Sequence, residues 1–319
     1  MQDSNLRIAV LLPCYNEEAA IAQTVAGFRA ALPNARIYVY DNNSTDRTCE
    51  VAAQAGAVVR TERMQGKGHV VRRMFADVEA DVYVMADGDA TYDPAAAPEM
   101  VKRLVDEQLD MVVGARRSEV EEAYRRGHRL GNRLFTGLLA NLFGRSFSDI
   151  FSGYRSFSRR FVKSFPALSR GFETETEISV HALELAMPVG EVVTAYGARP
   201  EGSESKLSTY RDGFRIARTI MHLFRIERPV LFYGGFGLFL ATVALTMSIP
   251  LAITFFQTGL VPRFPTAILA TGLMIVAFMS FMCGLILDTV VRGRREVRRL
   301  HYLALPGVAD AATDIPPPR

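Results

Sequence analysis

Two long stretches of uncharged, apolar sequence lie almost end to end near the C-terminus, and they decide which solvent this chain must meet. Pro229 to Pro262 is 34 residues without a formal charge, and Phe264 to Leu287 is another 24. Roughly 20 apolar residues cross the hydrocarbon core of a bilayer, so each stretch is long enough to span once. A buried core hairpin is the alternative. Two such stretches so close together favour a transmembrane hairpin over 229–290, with spans at about 230–256 and 264–290. Arg215, Arg218, Arg225 and Arg228 precede it, and Arg292, Arg294, Arg295, Arg298 and Arg299 follow. Basic flanks at both ends place both in the cytoplasm and send only the loop around Arg263 across.

The remaining charge is unevenly spread. Of 71 charged residues, only Arg263 and Asp288 fall between Pro229 and Val290. Residues 1–114 carry 11 basic and 17 acidic groups, residues 115–228 carry 19 and 13, and the stretch after Val290 has six Arg against three acids. This distribution excludes a uniformly basic nucleic-acid binder, a disordered chain and a fully soluble protein. The early apolar run Ile8 to Leu12 is five residues long and ends at Pro13, too short for a signal-peptide core. The polar part is therefore expected to stay in the cytoplasm. Cys14, Cys49 and Cys283 are too scattered for a disulfide framework or a zinc knuckle, and the five histidines show no ligand spacing.

Within the polar part, short β-branched runs alternate with helical ones up to residue 116. Ile8 to Leu12, Arg36 to Tyr40, Ala57 to Arg60, Asp81 to Ala86 and Asp110 to Gly114 read as strands, with helical segments between them. This rhythm predicts a mostly parallel sheet with helices on both faces, whose ligands bind beyond the carboxyl ends of the strands. Polar clusters fall there: Pro13-Cys14-Tyr15-Asn16-Glu17 after the first strand, Asp41-Asn42-Asn43-Ser44 after the second and Asp87-Gly88-Asp89 after the fourth. From Ala123 the texture changes to amphipathic helix rich in Arg and aromatic residues, around 124–145 and again over 207–228, where basic side chains can snorkel at a membrane surface.

Asp87-Gly88-Asp89 carries the first chemical signal. Two carboxylates at a strand end can hold a divalent cation and leave positions open for phosphate oxygens, although Asp-Gly alone is also an ordinary turn. Its context strengthens it: Asp41 ends a strand where an acid can hydrogen-bond a ribose or base, and Gly66-Lys67-Gly68 opens a helix with N–H groups and an ammonium suited to phosphate. The P-loop spacing is absent.

These motifs together resemble family 2 glycosyltransferases of the GT-A fold. Arg129-Leu130-Gly131-Asn132, Asp149-Ile150-Phe151-Ser152-Gly153-Tyr154-Arg155, Phe172-Glu173-Thr174-Glu175 and Ser205-Lys206-Leu207 are similar to its dolichyl- and polyprenyl-phosphate sugar transferase branch. The resemblance implies a cytoplasmic catalytic domain over 1–206, an interfacial helix over 207–228, the hairpin over 229–290 and a basic tail over 291–319. It implies that Pro13, Tyr15, Glu17, Asp41 and Asn43 embrace the nucleoside of a UDP- or GDP-linked sugar. Lys67 would approach the phosphates, Asp87 the nucleotide or sugar, and Asp89 would ligate Mg²⁺ or Mn²⁺. Relatives of the dolichyl-phosphate mannose type often place Gln, a further metal ligand, where this chain has Thr91, so that the Thr91 hydroxyl or a water, with Asp87, is expected to complete the metal site beside Asp89.

The same resemblance assigns Arg116, Arg129, Arg199 and Lys206 to the acceptor, a polyprenyl phosphate. Guanidinium groups match such oxygens in bidentate fashion. Asp149, Glu173 and Glu175 would orient sugar hydroxyls, pair with basic residues such as Arg129 or Arg155, or assist as base. A phosphate monoester is largely dianionic near neutral pH, so a strong general base is unnecessary. The implied activity is inverting transfer of a single sugar onto the lipid, at a bacterial or archaeal inner membrane, with a homo-oligomer through the hairpin as a further option. A processive polysaccharide synthase would need a Gln-x-x-Arg-Trp acceptor motif, which a chain with no Trp lacks. A GT-A-like scaffold protein without activity is disfavoured because metal acids, Gly-Lys-Gly turn and basic set are all present.

Overall fold

The computed structural model describes residues 6–117, 147–169, 171, 173–197, 221, 224–226 and 228–308. The first strands, β1 (Ile8–Cys14), β2 (Arg36–Asp41), β3 (Val58–Thr61) and β4 (Val82–Met85), alternate with helices α1 (Ile21–Ala31), α2 (Thr48–Gln54) and α3 (Lys67–Asp77). A 3-10 turn at Pro94–Ala96 leads into α4 (Ala97–Asp106), followed by β5 (Met111–Arg117), β6 (Arg155–Ser158), α5 (Arg159–Ser164), α6 (Thr174–Glu184) and β7 (Val189–Ala195). Among the described residues they build one seven-stranded sheet in the order β3-β2-β1-β4-β6-β5-β7. Every pair is parallel except those of β6, which runs antiparallel between β4 and β5.

Strand β1 explains why the sheet is covered on both faces. Val10, Leu11 and Leu12 are all fully buried, so alternate side chains need apolar cover above and below. Val10 and Leu12 join Ile21, Val25 and Phe28 of α1, Val84 of β4 and Met100 and Leu104 of α4 in one core. The antiparallel β6 has a positional consequence. Arg155, its first residue, pairs with Met85 and with Val113, so the chain enters β6 at the edge where the parallel strands β4 and β5 leave the sheet. Residues 149–154 are thereby delivered beside the segments that follow those strands.

Helices α7 (Pro229–Thr258) and α8 (Phe264–Leu303) are long and apolar enough to cross a membrane. Only 11% and 17% of their most apolar windows are buried, which argues against a core hairpin. The two helices meet through small residues, as membrane helices do. A Cβ on Gly237 would come 2.7 Å from the Ala277 carbonyl oxygen, and Ser280 Oγ donates to the Tyr233 carbonyl at 2.9 Å. Gly259, at φ +68°, closes α7 in the left-handed conformation.

Helix α8 runs beyond the charge boundary expected at residue 290, because that boundary marks where apolar sequence ends and not where helix does. The chain divides into two compact units, one of 1–213 with 298–319 and one of 214–297. The last turns of α8 thus belong to the α/β unit. There Arg298 pairs with Glu184 at 2.8 Å, Tyr302 donates to Asp110 Oδ2 at 2.6 Å, and Val308 enters the core. Asp110, at the opposite end of β5 from Arg116, also receives Ser158 Oγ and both arms of Arg160. The amphipathic segments expected at 124–145 and 207–228 fall almost entirely outside the described residues.

Candidate active site

The loops after β1 and β2 lock into each other. Asn16, at φ +54°, donates its backbone N–H to Ser44 Oγ at 2.8 Å, and its own Oδ1 accepts from Thr45 N at 2.8 Å. Glu17 is buried and its N–H donates to Thr48 Oγ1, while Tyr15 remains exposed and Pro13 half-buried on β1. Asp41 is buried and both its carboxylate oxygens accept from Ser44 N, three residues on, which holds the carboxylate beside the strand end. Asn43 turns the chain at φ +64° and donates to the Arg63 carbonyl.

Asn42 was not singled out by sequence reasoning, yet it organises the next loop. Its Nδ2 donates to the carbonyls of Glu62 and Met64, and its Oδ1 accepts from Gly66 N at 2.7 Å. Gly66, at φ +129° and ψ +136°, adopts a conformation open to glycine before α3 begins at Lys67. Gly68 serves a different need: a side chain there would collide with the Ser169 carbonyl oxygen. That segment is pinned by Glu177, whose two carboxylate oxygens accept from Leu168 N and Ser169 N.

Lys67 Nζ lies 2.5 Å from Asp87 Oδ1 and 2.5 Å from Glu175 Oε1. Burial works against its charge, but the two carboxylates outweigh burial and hold its pKa above the ordinary lysine value. Lys67 is a fixed cation at the strand ends. Gly88, between the two aspartates, packs so tightly on Cys14 Sγ that a Cβ would collide with it. Burial, reinforced by Glu17 and the surrounding aspartates, pushes the Cys14 thiol well up, so it is a packing group and not a nucleophile. Asp89 is buried and its Oδ1 accepts from Thr91 Oγ1 at 2.6 Å and from Thr91 N at 3.2 Å across Ala90, which sits at φ +57°. Thr91 therefore orients the Asp89 carboxylate.

Among the described residues, no group of three or more His, Cys, Asp or Glu side chains gathers as a metal cage. Two hard carboxylates in Asp87 and Asp89 suit a divalent cation that takes its remaining ligands from phosphate and water.

On the other side of Asp87, Arg116 at the end of β5 forms a bidentate pair with Asp149, at 2.6 and 2.9 Å, and lies over the Tyr196 ring at 5.3 Å. Asp149 thus pairs with Arg116, and Glu175 with Lys67; neither takes the Arg155 expected as a partner. Glu173 is the N-cap residue before α6, two residues ahead of Glu175. Arg129, Arg199 and Lys206 lie outside the described residues. The structure therefore brings Pro13, Tyr15, Glu17, Asp41, Asn43, Lys67, Asp87, Asp89, Thr91, Arg116, Asp149, Glu173 and Glu175 to one edge of the sheet or to α6 beside it.

A sheet of this order, with carboxylates and a largely covered lysine at its strand ends, suits a phosphate-bearing ligand. Residues 9–165 match the family described as glycosyl transferase family 2. The chain is 31% identical over 299 residues to the glycosyltransferase AglJ of Haloferax volcanii, covering 93% of this chain and 98% of that one. It is also 28% identical over 118 residues to a dolichol-phosphate mannosyltransferase of Pyrococcus furiosus, covering 35% and 33% of the two chains. A glucosyl-3-phosphoglycerate synthase of Mycobacterium tuberculosis, solved with Mn²⁺, UDP and phosphoglyceric acid, shares the fold. Its TM-score is 0.56 at 22% identity, over 70% of this chain and 79% of that one. The chain belongs to glycosyltransferase family 2.

Proposed function

We propose that this protein transfers one sugar, with inversion, from a UDP- or GDP-sugar to a polyprenyl phosphate on the cytoplasmic face of a bacterial or archaeal membrane. The observation that carries this reading is a donor-type cluster, Lys67 with Asp87 and Glu175, sharing one sheet edge with the Arg116–Asp149 pair, in a chain with two exposed apolar helices. The name of the dolichol-phosphate mannosyltransferase supports the same class of acceptor, and that of AglJ supports glycosyl transfer.

In this reading Asp41 accepts from the ribose or base, and Asn43, Pro13, Tyr15 and Glu17 shape the nucleoside slot. Asp89, oriented by Thr91, and Asp87 would hold Mg²⁺ or Mn²⁺, which offsets diphosphate charge when bound. Lys67 meets the negative charge of the departing nucleoside diphosphate, and Glu175 keeps that ammonium in place. Arg116, with Arg129, Arg199 and Lys206, receives the lipid phosphate. A phosphate oxygen forms the new bond to the anomeric carbon as the bond from that carbon to the diphosphate oxygen breaks. The attacking oxygen is already anionic, so positioning and charge neutralisation suffice.

The test is Asp89→Asn in the full-length protein. Metal-dependent transfer should disappear while the melting temperature stays near that of the wild type; turnover at the wild-type rate would overturn the metal assignment.

A further inference from the structure

Arg155 is the largest fully buried side chain among the described residues. Among the described residues no carboxylate lies within ion-pair distance of it; its guanidinium instead spans three neutral oxygens. Nη2 donates to the Ile150 carbonyl at 2.5 Å, Nε to the Ser152 carbonyl at 2.9 Å and Nη1 to Ser179 Oγ at 2.9 Å. Burial lowers its pKa to about 10, against the opposing pull of Glu175 and Asp149, so it remains a cation at neutral pH.

The carbonyls of Ile150 and Ser152 belong to a segment that is neither helix nor strand. Buried carbonyls outside regular structure need donors from elsewhere, and a planar fork with five N–H groups can serve two of them at once. That segment carries consequences at both ends. Asp149 holds Arg116 at one end. At the other, Gly153 N donates to Tyr92 Oη at 2.8 Å, and a Cβ on Gly153 would come 2.9 Å from Asp87 Oδ2. Ser179 Oγ, the third partner of Arg155, also donates to the Glu175 carbonyl at 2.9 Å, one turn back on the helix whose side chain holds Lys67.

We propose that Arg155 is a positioning residue for sugar transfer: its buried fork fixes residues 149–153 against Asp87 and so sets both the Arg116–Asp149 pair and the Lys67–Glu175 pair in register with each other. This rests on the reading of that sheet edge as the transfer site. An apolar side chain would fill the same volume but take the guanidinium donors from both carbonyls, leaving that of Ile150 only a long 3.5 Å contact from Ser179 Oγ, and Lys, with a single ammonium, reaches one of them at a time.

The experiment compares Arg155→Met and Arg155→Lys with the wild type, as full-length protein in nanodiscs, by hydrogen exchange and by steady-state kinetics. In Arg155→Met the amides of 150–154 should exchange about tenfold faster while the core strands keep their protection. Its kcat should fall about 100-fold, the loss expected for reacting groups misplaced by about 1 Å, with donor KM little changed. Arg155→Lys should fall between. Wild-type exchange and kcat in Arg155→Met would overturn the proposal, as would a loss of protection spread evenly over the whole α/β unit. If the Met variant does not fold, the Lys variant decides, and unchanged exchange and kcat there overturn the proposal equally. A wild-type protein that leaves polyprenyl phosphate unglycosylated defeats the acceptor reading instead, and the exchange at 150–154 still decides what Arg155 holds.

Discussion

The Lys67 ammonium and the Glu175 carboxylate stand 2.5 Å apart, joining the start of α3 to the start of α6 through an ion pair that water scarcely reaches. Glu175 Oε2, its other oxygen, is buried without a hydrogen-bond partner among the described residues. Lys67→Met should therefore act twice. It removes the cation that faces the leaving diphosphate, for a loss of about 10²- to 10³-fold in kcat. It also leaves a buried carboxylate without its counter-charge, at about 3 kcal/mol of stability. Glu175→Gln should cost less on both counts, because Asp87 still holds the lysine. Steady-state kinetics and thermal melts of the two variants check the order; equal effects would contradict it.

The contact of Gly88 with Cys14 predicts a rescue. Gly88→Ala drives a methyl into the thiol, and overpacking of this kind costs about 1–3 kcal/mol. The same substitution should displace the flanking aspartates and lower activity. Cys14→Ala removes the opposing sulfur, so the double variant should recover most of the melting temperature lost in Gly88→Ala. A double variant no better than the single one would show that the strain lies elsewhere.

At the far end of the sheet, Tyr302→Phe deletes a hydrogen bond to the buried Asp110 carboxylate, and Arg160, whose guanidinium lies 4.5 Å from the ring centre, stays in place. A hydrogen bond to a charged group contributes about 1.5–3 kcal/mol, so the variant should melt measurably earlier. Amides around residue 302 should exchange faster. An unchanged melt and unchanged exchange would mean that the end of α8 does not brace the α/β unit.

His181 sets an acid limit on stability. Burial, aided by the nearby Arg298, lowers its pKa from 6.5 to about 3, and its ring packs edge-on to Phe161 and Phe165. Below pH 6.5 the unfolded chain binds a proton there that the folded chain refuses, so this group's contribution is full above that pH and falls as acid is added. The slope is about 1.4 kcal/mol per pH unit until the folded pKa is reached. His181→Phe should remove that component from a stability profile taken between pH 7 and 5. An identical profile in the variant would contradict it.

Much of the donor side was legible because its signals are local. Strands β1 to β4 announce themselves as apolar runs, and an acid at the carboxyl end of such a strand faces the ligand whatever the rest of the chain does. The partners of Lys67 and Arg116 were not legible, since Glu175 and Asp149 reach them only through the antiparallel insertion of β6 and the packing of α6. Arg155 misled for a related reason: in a basic segment an arginine reads as a surface or paired group, and nothing local signals that its fork is used on carbonyls in the core. The length of α8 was hidden because the charges that end the apolar stretch do not break a helix.

The central claim is the acceptor. Purified full-length protein, incubated with polyprenyl phosphate, Mn²⁺ and a panel of UDP- and GDP-sugars, should give one lipid product heavier than the acceptor by a single sugar residue, with one donor strongly preferred. A ladder of longer products, or an unaltered lipid beside a donor consumed with some other acceptor, would contradict the account.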